Sequence, residues 1–467
     1  MRTSRATATD AERVIDGLTF SLRSTLRALG DTLPEGLLSI SVRADDLDLA
    51  PHLPATARAH YWSRQSSGHS YTGLGVAASI RCSGADRLEV LADEFSALGT
   101  RWQHYGPAGR PDPVAFIGFA FSPNETPGAM WHDMANTELV VPELLFRESG
   151  DQRWLIFSAD VGGRTNPVDL ELHWASLLET LCTAPVERHE ERMPPLTMRR
   201  IEDRGWQAPI AQALMDIRSG SLEKVVLTRR VKYSTSRRLR WGKVLQALAA
   251  GHEDCARFAV TRPGFALLGV SPERLLSLDN GMVIADALAG TAPRGERSGE
   301  DRELVQQLLA DPKALEEHTI VVNQIREALA PSCSGLVVPP APGIMSLPKV
   351  HHLWSPLRGR LRNGSGLLDL AGRLHPTPAV GGSPRDAALN WLNDNEKGGR
   401  GWYTGAYGWL DASGNGELSV VLRCSIVNDT SAELFAGAGI VADSVADQEL
   451  AETEWKLRTM RGALELG

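Results

Sequence analysis

The feature that most constrains the fold is the order in which short apolar β-like runs and helical stretches follow one another along 467 residues. In the first half, the runs at 37–42 and 114–121 are β-like, and residues 87–102 have the spacing of an amphipathic helix. The runs do not follow the strand–helix–strand rhythm that builds a parallel sheet. The pattern therefore predicts an α+β fold.

The second half continues this mixture. Residues 206–219 form a predicted helix, and the apolar segment 224–234 forms a predicted strand. The segment 184–198 between the halves is polar, contains proline and has no periodicity, which is typical of a connector. We therefore predict a division near residue 195, between an N-terminal half at 1–195 and a second region at 196–467. A chain of this length exceeds one ordinary core, so two domains or one large intertwined domain are both compatible with it.

The charge of the chain limits its partners. A formal net charge of −8 argues against nucleic acids and anionic membranes, because both require clustered positive charge. A small anionic substrate remains compatible, since a few local cations outweigh a screened net charge. No glycine-rich nucleotide-binding loop follows a predicted strand, so a nucleotide cofactor is not expected.

The cysteines and the N-terminus indicate a compartment. The five cysteines are odd in number, widely spaced and free of any CxxC pair, which favours a reduced cytoplasmic setting. Residues 1–18 lack the apolar stretch of a signal peptide, and nowhere do about eighteen apolar residues run together. We expect no export and no membrane span.

The predicted helix at 445–464 carries Glu449, Glu452 and Lys456 on one face. Ser444, with Asp447 three residues later, resembles a capping box and predicts where this helix starts. An ordinary solvated face with a Glu452–Lys456 ion pair is the alternative interpretation.

A second acidic helix is predicted at 311–329, where Glu317 and His318 stand directly before an apolar run. Carboxylates gathered near a core repel one another unless a cation joins them, and oxygen ligands are those that Mg²⁺ prefers. Two such helices, if they face each other, therefore indicate a magnesium site. A surface helix is the alternative, because sequence alone does not show that the two helices meet.

Two further segments have the chemistry of an anion site. The glycine-rich segment 436–444 follows a strand-like run and precedes the last helix, where its peptide N–H groups are expected to bind a carboxylate. Arg423 lies among apolar residues in a predicted strand at 417–427, where an arginine needs an acidic partner or an anionic ligand. A tight turn and a structural ion pair are the respective alternatives.

Lys224 opens one apolar strand and Glu273 ends another. A desolvated lysine can act as a base near neutral pH, and a partly buried glutamate can act as an acid. Without further context, both are ordinary charges at strand ends.

These pieces occur together and in a fixed order, and the region 205–467 resembles the chorismate-utilising family of isochorismate, salicylate, anthranilate and aminodeoxychorismate synthases. The matching segments are KVVLTRR (224–230), GVSPERLL (269–276), ALAGTAPRG (287–295), EEHTIVV (316–322), VHHL (350–353), LHPTPAVGG (374–382), RGWYTGAYGW (400–409), VVLRCSIV (420–427) and the last helix with its preceding glycines (436–456). The N-terminal half resembles the family only weakly, through YW at 61–62 and FIGFAF at 116–121.

The resemblance implies one fold of two large stacked antiparallel β-sheets flanked by helices, similar to anthranilate synthase component I, to which the N-terminal half contributes. It implies Mg²⁺ held by Glu317 and Glu452, with Glu449 beside them or reaching the ion through water. The residues implied in substrate binding are Gly290, Thr291, His352, Ala379, Tyr403, Arg423, Gly437, Gly439 and Lys456.

The resemblance also implies the reaction. Relatives that install ammonia have glutamine where this chain has Lys224, and a lysine there deprotonates water for attack at C2 of chorismate. Glu273 would protonate the departing C4 hydroxyl, which gives isochorismate for menaquinone or siderophore synthesis. Ala379 replaces the threonine of salicylate and anthranilate synthases, so salicylate formation by pyruvate loss ranks second and an ammonia-using lyase third. Many relatives have an acidic residue where this chain has Ala314. The change is expected to weaken a hydrogen bond to one of the metal ligands. A monomer without a glutaminase subunit is expected.

Overall fold

The computed structural model describes residues 8–30, 32–47, 58–125, 129–131, 133–183, 196–203, 206–362 and 364–466. The strands of the first half are β1 (Gly36–Arg43), β2 (Ala59–Arg64), β3 (His69–Leu74), β4 (Ala78–Cys82), β5 (Trp102–Tyr105), β6 (Val114–Phe119), β7 (Thr137–Val141), β8 (Leu144–Ser149) and β9 (Gln152–Val161). Those of the second half are β10 (Met198–Asp203), β11 (Lys224–Thr235), β12 (Ala256–Arg262), β13 (Phe265–Ser271), β14 (Arg274–Asp279), β15 (Met282–Pro293), β16 (Cys333–Val337), β17 (Gly343–Ser346), β18 (Val350–Leu361), β19 (Gly382–Ser383), β20 (Ala406–Asp411), β21 (Gly416–Val420), β22 (Cys424–Asn428) and β23 (Ser431–Ile440).

The helices are α1 (Ala8–Leu29), α2 (Arg87–Thr100), α3 (Pro167–Thr183), α4 (Gln207–Arg218), α5 (Trp241–Ala247), α6 (Ser298–Ala310), α7 (Pro312–Leu329), α8 (Leu367–Leu374), α9 (Arg385–Asn395) and α10 (Ala446–Glu465). The strands predicted at 37–42, 114–121 and 224–234 and the helices predicted at 87–102 and 206–219 are confirmed to within two residues at each end. Within the described residues, no helix is both long and apolar enough to cross a membrane.

The strands form two large sheets, so the predicted α+β fold is confirmed. In the described part of the chain, the first sheet has 13 strands in the order β10-β11-β23-β22-β13-β12-β2-β3-β8-β9-β1-β5, with β19 beside β11. The second has 10 strands in the order β16-β18-β15-β14-β21-β20-β6-β7-β4, with β17 beside β18. Pairing is antiparallel except between β1 and β5. Strands from both halves of the chain take part in both sheets. Of the predicted connector, residues 184–195 lie outside the described residues, and β10 begins at Met198.

Apolar packing places the sheets face to face. One buried cluster joins Trp62 of the first sheet to Phe116 and Tyr407 of the second, so it fills the space between them. A second cluster buries α1, α3, α5 and α10 against the first sheet, and a third buries α2, α7 and α8 against the second sheet. Because apolar burial stabilises all three interfaces, the arrangement is a double sheet with helices on its outer faces.

Two of the places where the chain passes from one sheet to the other are neighbours, and we call them the two crossings. The first runs from β13 through Pro272 and Glu273 into β14, and the second runs from β21 through Arg423 into β22. The crossings are hydrogen-bonded to each other, because the N–H of Val420 donates to the C=O of Glu273 and the N–H of Val270 donates to the C=O of Arg423. Two predicted site residues therefore lie at the points where the sheets join.

Three local predictions are wrong. Residues 417–427 do not form one strand, because Arg423 has a φ of 43° and the strands on either side of it belong to different sheets. The segment 436–444 is not a turn throughout, since β23 continues through its glycines to Ile440. Ser444 does not cap the last helix: Val445 precedes it without a side-chain cap, and the Ser444 hydroxyl accepts the Val441 N–H at 3.1 Å. The first two errors come from long-range strand pairing that replaces a local preference.

Candidate active site

A cavity between the sheets gathers most of the predicted site residues. It is bounded by β11 and β23 of the first sheet, by β15 and β18 of the second, and by α7 and α10. The predicted residues that line it are Glu273, Gly290, Thr291, Glu317, His352, Ala379, Tyr403, Arg423, Gly437, Gly439, Glu452 and Lys456. Lys224 does not line the cavity itself but contacts Glu317, which does. Glu449 is likewise outside the cavity lining.

Lysine–carboxylate pairs form one side of the cavity, which we call the lysine wall (Lys224, Glu317, Glu452 and Lys456). The Lys224 ammonium lies 2.7 Å from Oε1 of Glu317, and the Lys224 side chain is only 1% exposed. Lys456 lies 2.6 Å from Oε1 of Glu452 one helical turn away and donates to the C=O of Gly437 at 2.7 Å. Burial acts to raise the pKa of Glu317, but the charges of Lys224 and Lys456 outweigh it and the pKa lies below its usual range. This carboxylate is therefore ionised.

The glycines of β23 present backbone groups to the lysine wall. Val226, which is opposite Gly439 in β11, donates its N–H to Gly381 and accepts from Arg400, so neither group bonds to β23. In an antiparallel pair the opposite residue then directs its own N–H and C=O away from the partner strand, and Gly437 repeats this two residues earlier. A Cβ at Gly439 would lie 2.8 Å from Cε of Lys224. Glycine is therefore required for the close approach of this lysine.

Arg423 directs unpaired hydrogen-bonding capacity into the cavity. Its Nη2 donates to Nε2 of His352 at 2.8 Å, and Nδ1 of His352 is 3.1 Å from the Thr291 hydroxyl. Burial, followed by the charge of Arg423, lowers the pKa of His352 well below its usual value, so this imidazole is neutral. Nη1 of Arg423 is buried and has no hydrogen-bond partner among the described residues. A buried guanidinium without a carboxylate partner is a strong binding group for an anionic ligand.

Glu273 has the opposite environment to Glu317. It is 3% exposed, and within the described residues no ion pair or side-chain hydrogen bond holds its carboxyl group. Burial raises the pKa of Glu273 to about 8, and the negative charge of Asp286 adds to this effect, while Lys224 and Lys456 oppose it. At neutral pH this group is a carboxylic acid that can donate a proton.

Tyr403, Ala379 and Gly290 complete the lining. The buried Tyr403 ring stacks on Phe435 at 5.1 Å, and a Cβ at Gly437 would lie 3.2 Å from its hydroxyl. Gly290 has a φ of 79° at a bulge of β15, where a Cβ would approach Cβ of Ala314 to 3.2 Å. Ala314 is thus a small residue packed in an apolar contact beneath this bulge.

The three carboxylates predicted to hold a metal are each bound to a lysine instead of to one another. Glu449, which is 5% exposed, lies 3.2 Å from Nζ of Lys313 on α7. Burial and the charge of Glu452 raise its pKa. Across the described residues, no group of three or more His, Cys, Asp or Glu side chains is close enough to hold a metal ion. The oxygen-only donor set nevertheless fits the chemistry of a hard divalent cation such as Mg²⁺.

Three residues of this region were missed in the sequence. Arg400 is buried and binds Glu396, the C=O of Val226 and the C=O of Val380, so it ties three cavity segments together. Asp286 raises the pKa of Glu273, and Lys313 forms an ion pair with Glu449. A lone acid in the apolar strand at 282–289 was a visible signal for Asp286, but no local pattern marks the partners of the other two.

Comparison with known proteins places this geometry in a family. The family model described as "Chorismate binding enzyme" matches residues 25–465. The isochorismate synthase MenF of Bacillus subtilis is 31% identical over 422 residues, covering 88% of both chains. The salicylate biosynthesis isochorismate synthase of Pseudomonas aeruginosa is 43% identical over 263 residues, covering 56% of this chain and 55% of that one.

Solved structures agree with these relatives. The menaquinone-specific isochorismate synthase MenF from Escherichia coli superposes with a TM-score of 0.77 at 25% identity, covering 96% of this chain and 99% of that one. Anthranilate synthase component I from Streptococcus pneumoniae shares the fold, with a TM-score of 0.68 at 20% identity, covering 89% and 95% of the two chains. With a family model that spans nearly the whole sequence and a full-length relative at this identity, the chain belongs to the family of chorismate-binding enzymes.

Proposed function

We propose that the protein is an isochorismate synthase, an isomerase that moves the hydroxyl function of chorismate from C4 to C2. The observation that carries this proposal is the pairing of two proton-transfer groups on one cavity: the buried amine of Lys224 and the protonated carboxyl of Glu273. A reaction that adds water at one carbon and expels a hydroxyl at another requires one base and one acid. The relatives named above as isochorismate synthases support the same reaction.

The anionic substrate would be held at its carboxylates. Nη1 of Arg423 is available as a charged donor, and the N–H groups of Gly437 and Gly439 point away from β11. Lys456 and the Tyr403 hydroxyl lie beside these glycines. His352 and Thr291 hold Arg423 from behind, and Gly290 and Ala379 shape the wall next to the ring. Charge-assisted bonds of this kind orient a dianion for reaction.

The chemical step needs two proton transfers. The Lys224 ammonium first releases a proton to solvent as its contact with Glu317 opens, and the resulting amine takes a proton from a water molecule whose oxygen bonds to C2. The ring double bonds shift as the C4–oxygen bond breaks. Glu273 gives its proton to the departing hydroxyl, which leaves as water. One water enters and one leaves, so the product has the same composition as the substrate.

We propose Mg²⁺ as the cofactor, with Glu317 and Glu452 as its ligands and Glu449 near them. The oxygen-only donors and their convergence from α7 and α10 support this assignment. When bound, the ion would supply a positive charge that neutralises a substrate carboxylate. Without the ion, the lysines that lie 2.6 to 3.2 Å from these carboxylates balance their negative charge.

The nucleophile and the product distinguish this activity from others in the family. A lysine at position 224 favours water over ammonia, so no glutaminase subunit is proposed. Ala379 lines the cavity without the hydroxyl that threonine would bring, which disfavours pyruvate loss to salicylate. We further propose that the protein acts in the cytoplasm as a monomer on free chorismate, which its free thiols and negative charge support.

The test is a product assay with chorismate and Mg²⁺. We expect isochorismate to accumulate without pyruvate, and we expect addition of ammonium salts to leave the product unchanged. Release of pyruvate with fluorescent salicylate, or formation of an aromatic amine, would overturn the proposal. The Glu273→Gln variant serves as a control that retains the binding groups but lacks the acid.

A further inference from the structure

A second cavity lies beside the proposed active site in the space between the sheets. Its lining includes Arg64, His252, Arg274, Asp286 and Trp354. Adjacent residues separate the two cavities: Arg274 faces the second, while the preceding Glu273 faces the first. On β15, Asp286 and Leu288 are two residues apart and lie on the same face of the strand; Asp286 lines the second cavity and Leu288 lines the first. The two cavities are therefore neighbours along one face of β15, and the residues between them, in β15 and at the start of β14, form their shared wall.

Asp286 is a buried carboxylate in this wall. It is 5% exposed, and its Oδ1 accepts the indole N–H of Trp354 at 3.0 Å. The nearest cations are shared with another carboxylate, because Arg64 lies 2.6 Å and Arg274 lies 3.6 Å from Glu417. In the described part of the chain, Asp286 forms no ion pair of its own. Its negative charge is therefore only partly balanced and acts on its surroundings.

The groups that act on Glu273 come from three elements: Asp286 on β15, Lys224 on β11 and Lys456 on α10. Both lysines are bound to carboxylates of their own, Glu317 and Glu452, which offset their effect. Burial also raises the pKa of Asp286, but the charge of Arg274 and the Trp354 N–H oppose this increase. Glu273 has no comparable donor. Of the two buried acids, Glu273 therefore holds the proton.

We propose that Asp286 is a positioning residue for the acid step, acting through Glu273: its charge, on the second-cavity side of the shared wall, keeps the proton on Glu273 until the C4 hydroxyl departs. This inference rests on the proposed role of Glu273 as the acid. It adds a residue that touches no substrate and lies outside the first cavity.

The test is the pH dependence of kcat/KM in Asp286→Asn, an isosteric change that removes the charge. We expect the alkaline limb, where activity falls as Glu273 loses its proton, to move to lower pH by about one unit. Activity near pH 6 should stay close to that of the original chain. Trp354→Phe removes the indole N–H whose hydrogen bond acts to lower the pKa of Asp286, and it should move the limb in the same direction by a smaller amount.

Asp411→Asn is the matched control. Asp411 is another buried aspartate of the second sheet, held by Asn415, and it does not act on Glu273. Its loss should leave the alkaline limb in place. An alkaline limb that stays fixed in both Asp286→Asn and Trp354→Phe, together with an unchanged titration of the Glu273 proton, would overturn the inference.

Infrared spectroscopy separates this inference from the proposed function. The carboxylic-acid band that disappears in Glu273→Gln reports the proton on Glu273 directly, without substrate turnover. We expect this band to titrate at lower pH in Asp286→Asn. A band that moves while the pH–rate profile does not would support the coupling and contradict the role of Glu273 as the acid. A band that does not move would contradict the coupling itself.

Discussion

Glu273 and Glu317 face one cavity, yet their surroundings give them opposite protonation states. Glu317 belongs to the lysine wall, where an ammonium group at 2.7 Å and a second lysine nearby keep it ionised despite burial. Glu273 lies at a crossing between the sheets, where burial and a neighbouring negative charge raise its pKa to about 8. The same type of side chain is thus ionised on one wall and a protonated acid on the other.

This difference shows that ion pairing, more than depth of burial, decides the protonation state of a buried carboxyl group. A paired carboxylate recovers in Coulomb energy what it loses in hydration, whereas an unpaired one recovers this free energy only by taking a proton. Variants that change the surroundings of Glu273 or of Glu317 separately test this difference.

The largest effect is expected from loss of the acid. Glu273→Gln keeps the shape of the side chain but has no transferable proton, so kcat should fall by about 10³-fold. Steady-state kinetics with chorismate would measure this. Substrate affinity, measured by calorimetry, should change little, and a variant with unimpaired turnover would show that the acid lies elsewhere.

Loss of the base should be nearly as severe. Lys224→Met removes the amine and leaves Glu317 without its ion-pair partner, and we expect kcat to fall by about 10²- to 10³-fold with the fold retained by circular dichroism. Lys349→Met, at an exposed position, is the control. Retained turnover in Lys224→Met would remove the assigned base.

The contrast also predicts a pH profile for the unmodified chain. Glu273 donates a proton only while protonated, so its contribution is present below its pKa and is lost as the pH rises through about 8. The rate should therefore fall tenfold per pH unit on the alkaline side, and Glu273→Gln should lack this limb. A rate that keeps increasing to pH 9.5 would be incompatible with this role.

A moderate effect is expected at the glycine beneath the lysine wall. In Gly439→Ala the added Cβ would lie 2.8 Å from Cε of Lys224 and 3.0 Å from Oε1 of Glu317, so the pair must move. We expect about a tenfold loss of kcat, since small displacements of reacting groups are costly. Gly462→Ala on α10 is the control, because it meets nothing within 4 Å and alanine favours a helix. Equal kinetics in the two variants would contradict the close approach of Lys224.

The smallest effect concerns the cation. Lys313→Met removes the ammonium group bound to Glu449, so a divalent ion no longer competes with it. We expect Mg²⁺ or Mn²⁺ to bind a few-fold more tightly, measured by titration calorimetry without substrate. Weaker binding in Lys313→Met would show that this lysine supports the site instead of competing for it.

The parts of the fold and of the candidate site whose determinants are local could be predicted from the sequence. The i, i+3 and i+7 spacing on α10 predicted that Glu449, Glu452 and Lys456 share a face, and alternating apolar runs predicted β1 and β6. Contacts distant in sequence could not be predicted. Lys224 and Glu317 are 93 positions apart, and nothing near either residue reveals the other.

Two of the errors have the same origin. The apolar run around Arg423 has the composition of one continuous strand, but its two ends pair with different sheets. The glycines before α10 are typical of a turn, yet pairing with β11 keeps them extended. In both places, tertiary contacts override the local preference of the chain.

The two crossings have a mechanical consequence. Because covalent chain and mutual hydrogen bonds tie the sheets together at Glu273 and Arg423, the sheets cannot separate there without breaking the backbone pairing. That end of the cleft behaves as a fixed hinge. We expect any widening that admits substrate to occur at the far side, where the partly exposed Lys313–Glu449 contact joins α7 to α10 across the gap. Glu273 and Arg423 thus stand at the pivot, where a swinging motion displaces atoms least.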